Sequence, residues 1–161
     1  MKCHSKIKFF LVVGLDNQGT EFVIGFMKNR QNIELELLVT TSSNSHVEVT
    51  VRAPLLFPGQ ILGYTEIRRG QIGKITLNNS LSGRNVEHSN KGVLITATEE
   101  ITVFGVNKEQ FSTDGFVSFP TDSLGTEYIL VTWSSDGEFM IIGVTDGTIV
   151  KITIPTLSRH I

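Results

Sequence analysis

The sequence predicts an all-β domain, a β-sandwich or jelly-roll-like body, and three observations carry the prediction. Val, Ile and Thr supply 48 of the 161 residues, whereas alanine occurs only at Ala53 and Ala97. Branched side chains lose rotamer freedom on a helix but pack well on a pleated surface. Apolar residues recur with period two in several short runs, and no segment keeps a helical period. Clusters of Ser and Asn and several Asp-Gly pairs punctuate these runs at turn spacing.

The elements follow in chain order. FLVVGLD (10–16) reads in two ways. With Lys2, Lys6 and Lys8 ahead of it and Val12 and Gly14 placed for cleavage, 1–14 forms a short secretory signal; alternatively the run is a leading strand. ELELLV (34–39) alternates, and VEVTV (47–51) sets Val47, Val49 and Val51 on one face. KITL (74–77), GVLITAT (92–98), ITVFGV (101–106) and GFVSF (115–119) are further strands, with TEE (98–100) turning the chain between two of them. VKITI (150–154) repeats the pattern of 47–51. Turns are expected at 42–45, at 78–82 and at the Asp-Gly pairs 114–115, 136–137 and 146–147, since Asp-Gly suits two-residue hairpins. About ten to twelve short strands at this spacing suit a sandwich or jelly roll.

One phrase is written twice. DNQGTEFVI (16–24) returns as DSLGTEYIL (122–130), each matched residue lying 106 positions after its partner. LELLVTTSSNSHVEVTV (35–51) is echoed by FMIIGVTDGTIVKITIP (139–155). About one and a half copies of a duplicated β unit are therefore expected: a first unit over 16–121 and an incomplete second over 122–161. A counterpart of KGVLITATEEITVFGVN (91–107) would fall after Ile161, so truncation at the C-terminus is expected. Gly19 and Gly125 would supply a turn or bulge, Thr20 and Thr126 would open a strand, and Phe22 and Tyr128 would enter the core. Glu21 and Glu127 alternate with these neighbours.

Composition narrows function. The net charge is −2 with both signs scattered, which favours neither nucleic acid nor an acidic membrane as partner. Arg68, Arg69 and Lys74 read as a solvated strand edge. No run approaches the roughly 20 apolar residues of a membrane span. A lone Cys3 excludes an intramolecular disulfide and a thiolate zinc site. His4, His46, His88 and His160 make no close ligand pair, and neither a phosphate-binding glycine loop nor a nucleophile elbow occurs. No catalytic, cofactor-binding or metal-binding residue is assigned, and no cofactor is expected; Asp16, Asp114 and Asp122 are the only candidates for a calcium site assembled from distant loops. Asn78-Asn79-Ser80 is an N-glycosylation sequon on Asn78. The polar loops 42–46, 78–90 and 107–114 are candidates for recognition.

Taken together, DNQGTEFVIGFMKN (16–29), LELLVTTSSNSHVEVTV, SNKGVLITATEEITVFGVN (89–107) and TDGFVSFPTDSLGTEYIL (113–130) resemble the N-terminal domain of IgGFc-binding proteins over most of 16–155. The resemblance implies a secreted, extracellular, non-enzymatic domain over 15–161, of a kind found ahead of adhesive modules in mucus proteins. IgG Fc, mucin or a matrix component would be its partner, and no site residue is carried over. The leading expectation is a binding or adhesion module that captures a protein or glycan through surface loops. The alternatives are a structural spacer in an extracellular or mucus-type polymer and a carbohydrate-active jelly-roll enzyme. Exposed strand edges on an incomplete unit also predict self-association.

Overall fold

The computed structural model describes residues 16–28, 34–84, 88–110, 112–132 and 138–153. The leading run at 1–14 lies outside the described residues, as do the Asp-Gly pair at 136–137 and Ile154. Among the described residues the regular structure is seven strands and two short 3₁₀ turns. The strands are β1 (Gln18–Ile24), β2 (Glu34–Thr40), β3 (Val47–Arg52), β4 (Gly63–Ile67), β5 (Gly73–Leu77), β6 (Val93–Lys108) and β7 (Thr113–Val117). The all-β expectation is met.

All seven strands belong to one antiparallel sheet built around β6. One flank of β6 pairs with β3 and then with β2, which carry β4 and β5 on their far sides. The other flank pairs with β1 and then with β7. A tight turn, with Gly70 at φ +80°, joins β4 to β5. Only glycine takes that backbone angle without strain. The turn brings the two strands together, so that Gly73 lies against the side chains of Ile67, Val39 and Thr65. The sheet thus rolls into a near-barrel. The sandwich of two packed sheets expected from sequence is not what the described residues form.

Alternation fills the interior as predicted. Leu35, Leu37 and Val39 of β2 and Val47, Val49 and Val51 of β3 are fully buried. They meet Phe22 and Ile24 of β1, Ile75 and Leu77 of β5, and Val93, Ile95, Ile101 and Val103 of β6. Phe26, which follows β1, and Leu81, in the 3₁₀ turn Asn79–Leu81, close one end.

The expected turn at 98–100 is corrected. β6 is one strand of 16 residues that runs through this triplet. Thr98, Glu99 and Glu100 are exposed, so the polar signal is real, but the chain bends outward there and does not reverse. β1 steps across the bend: Gly19 faces Ile101, and Glu21 already faces Thr96. Side chains serve the backbone at the bend. The Glu48 N–H donates to Thr98 Oγ1 at 3.0 Å, and the Thr41 hydroxyl donates to the Glu100 carbonyl at 2.7 Å. A bulge of this kind increases the local bend of a sheet, which closure requires.

The duplication is not visible among the described residues. Residues 124–132 and 138–153 contain no strand, and Val150 and Ile152 of the second alternating run are exposed. Gly19 lies inside β1 beneath Pro120, whose Cγ would sit 3.0 Å from an added Cβ; no described residue comes within 4 Å of a Cβ added at Gly125. The repeated glycine serves close approach in one place and nothing comparable in the other. The reason is pairing: β1 is a strand because 93–102 supplies its ladder, and 125–130 has no such partner among the described residues. The Asp-Gly pair at 114–115 is also corrected, since it lies within β7 and not in a turn. The pair at 146–147 does turn, with Gly147 at φ +76°.

Candidate functional site

Most strands show a polar outer face, but the end of the sheet formed by β2, β6 and β7 does not. Register sets Leu38, Phe104 and Val117 side by side across the three strands. Their alternation partners Leu37 and Val103 point into the core, so these three point outward. Phe104 is 40% exposed and Val117 39%. The next row holds Glu36, Val106 and Gly115. Gly115 brings no side chain, so the row leaves an open apolar groove of about 310 Å³ between Leu38, Phe104, Val106 and Val117.

Glycine also shapes the opposite face. Gly105 pairs with Phe116, and a Cβ on Gly105 would clash with the Phe116 ring, 2.6 Å from Cε1 and 2.8 Å from Cε2. The ring therefore takes the space a side chain at Gly105 would fill and meets Phe26 edge-to-face, with centroids 5.8 Å apart and planes at 63°. This contact secures β7, whose five residues are otherwise exposed.

Charges stand beside the groove. Lys74 of β5 pairs with Glu36, and Lys108 lies 3.9 Å from Glu34. Glu36 is largely buried, and the Lys74 ammonium holds its carboxyl below the usual glutamate range. A depressed folded value stabilises the fold above the ordinary range, and that stability is lost as pH falls through the folded value. Glu36→Gln is expected to cost about 1 kcal/mol at neutral pH, since half-exposed Lys74 keeps water as a partner. The variant should also lose part of the wild-type fall in melting temperature between pH 5 and roughly pH 3. Thermal unfolding of both proteins across that range checks this, and parallel curves refute it.

A second polar cluster lies on β3 and β4. The Tyr64 hydroxyl donates to Glu66 Oε1 at 2.7 Å, and His46 Nε2 lies 2.9 Å from Glu66 Oε2. The hydrogen bond to the Glu66 carboxylate, with partial burial and Glu48 nearby, pushes the Tyr64 phenol up to about 12. The same bond holds Glu66 below its ordinary range, with His46 adding to the effect. A raised tyrosine contributes stability that is complete below its unfolded value and is lost as pH rises through about 12. Ultraviolet titration should therefore show one of the two tyrosines ionising near 12, and Glu66→Gln should return it toward 10. A wild-type titration in which Tyr64 is not raised would refute the bond. The cluster is solvent-exposed, so it can make a polar contact at the surface.

The residues singled out from sequence are dispersed. Asp16 accepts the Gln18 N–H, Asp122 lies in the 3₁₀ turn Thr121–Ser123 near Gly19, and Asp114 sits on β7 opposite Asn107. Among the described residues no three His, Cys, Asp or Glu side chains gather as a metal site. Glu21 accepts from Thr121 at 3.1 Å. Asn78 is exposed at the start of a 3₁₀ turn, its side-chain oxygen accepting the Ser80 N–H. Of the three recognition loops, 42–46 is a surface bend tied down by Thr41 and by Arg69 on Asn44. The 107–114 loop shrinks to a tight connection between β6 and β7, because strand pairing extends to Lys108 and Thr113. Residues 85–87 of the third lie outside the described residues.

Sequence reasoning passed over the groove. Its signal was that ITVFGV is apolar at successive positions, so both faces of the strand carry bulky side chains. Comparison with known protein families, with curated proteins and with solved structures finds no match for this chain. Among the described residues no helix is long and apolar enough to cross a membrane.

Proposed function

We propose that the chain is a secreted, non-enzymatic binding module that captures an extracellular protein or glycan, in the manner implied by its resemblance to the N-terminal domain of IgGFc-binding proteins. The observation that carries this reading is the outward row of Leu38, Phe104 and Val117 beside the open space over Gly115. Apolar side chains aligned across three strands form a surface that gains free energy when a partner covers it, at about 25 cal/mol for each Å² removed from water. The groove holds no titratable group, which suits capture better than turnover. Recognition thus moves from the polar loops to a sheet face.

The test immobilises the full chain and presents mucin, IgG Fc, matrix proteins and a glycan array. Saturable binding to one class is expected. Phe104→Thr with Val117→Thr keeps strand propensity, removes apolar area and should weaken that binding about tenfold, equivalent to roughly 1.4 kcal/mol. Absence of binding to all four classes, or binding unchanged in the double variant, overturns the reading. The secreted location has its own check. Mass spectrometry of chain secreted from eukaryotic cells should find a glycan on Asn78; an unmodified Asn78 counts against it.

A further inference from the structure

We propose that β7 is a receptor edge for residues 126–132 of a second copy of this chain, so that copies join head to tail by strand addition. Among the described residues, β7 has β6 as its one ladder partner, and all five of its residues are exposed. The Ser118 N–H donates to the Val103 carbonyl at 2.9 Å, which sets the phase of the ladder. Alternation then turns the N–H groups of Asp114 and Phe116 toward β6, and those of Thr113, Gly115 and Val117 outward. Of the usual guards the edge carries one exposed charge, Asp114, and neither proline nor lysine; among the described residues only the Gly105 carbonyl lies within 4 Å of where a Gly115 Cβ would stand, at 3.7 Å.

The same chain carries a strand-forming sequence that is not in a strand. Residues 126–132 read Thr-Glu-Tyr-Ile-Leu-Val-Thr, rich in β-branched and aromatic side chains. Ile129 is 93% exposed and Val131 91%, without ladder pairing to any described residue. The segment repeats the sequence of β1, with Tyr128 and Leu130 in the places of Phe22 and Ile24. β1 and β7 lie end to end along one flank of β6, so a β1-like sequence already lies against this flank. Strand addition would also lay apolar side chains beside the exposed Val117 and Phe104. Edge and strand are different parts of the chain, so the contact is heterologous and propagates into open chains or rings. The inference does not depend on capture of a foreign ligand.

Sedimentation velocity over a concentration series tests it, with the full chain throughout. The wild type should form a ladder of species that grows with concentration. Gly115→Pro removes an outward N–H without touching the β6 ladder, and Ile129→Lys with Val131→Lys puts charge on the added strand. Each variant alone should remain monomeric. Mixed together, they should form a 1:1 dimer and nothing larger, because each retains one half of the contact. Val117→Lys replaces Gly115→Pro if the latter lowers the melting temperature. A monomeric wild type overturns the proposal, as does a mixture without the dimer. Loss of association in the edge variant alone would overturn it in favour of edge-to-edge pairing.

Discussion

Phe22→Ala is expected to destabilise the fold by about 3–5 kcal/mol, whereas Tyr128→Ala, at the matching position of the repeated phrase, is expected to cost under roughly 0.5 kcal/mol. Phe22 is fully buried on β1, and Tyr128 is 62% exposed. Removing the Phe22 ring loses its transfer free energy and leaves a cavity that rigid strands on either side cannot fill. Tyr128 gives up only the hydrogen bond in which its hydroxyl accepts the Gly125 N–H at 2.9 Å. Chemical denaturation of both variants measures the difference. The contrast separates likeness of sequence from likeness of environment, and equal costs would refute the structural account of the repeat.

Gly73→Val is expected to cost about 3 kcal/mol, the upper end for overpacking. A Cβ on Gly73 would stand 2.8 Å from Ile67 Cγ2, 2.8 Å from Val39 Cγ2 and 2.9 Å from Thr65 Cγ2. These contacts come from two strands, β2 and β4, on either side of Gly73, so relief at one tightens another. The site is the seam where β4 and β5 meet, so the predicted damage is to closure of the near-barrel. Stability close to wild type would show that the seam is loose. A fall in melting temperature together with new proteolytic cleavage around 63–77 would locate the opening there.

The part of the fold that was legible in sequence was local. Period-two alternation identified β2 and β3 and the inward face of β3, because a strand needs only its own residues to display two faces, and KITL was legible as the strand β5. It also found both halves of β6. It failed at 98–100, where Thr98, Glu99 and Glu100 look like a turn and form an outward bend in a paired strand. Whether a polar triplet reverses the chain depends on what meets it. Here the Thr41 hydroxyl and the Glu48 N–H meet it, respectively 59 and 50 residues away. The outward direction of Phe104 was implicit in the alternation with Val103, yet nothing local showed that its face would lack a cover.

Composition and periodicity by themselves determined that this chain is built from strands and that Val47, Val49 and Val51 share one face, since those properties reside in single residues and their neighbours. Only the tertiary structure decided that one sheet rolls up on itself, that β6 organises it, and that two copies of one phrase have different fates. A strand exists by hydrogen bonds to another strand, and 18–24 has such a partner while 125–130 does not. The same rule places the candidate binding surface, because Leu38, Phe104 and Val117 become neighbours only through pairing across three strands.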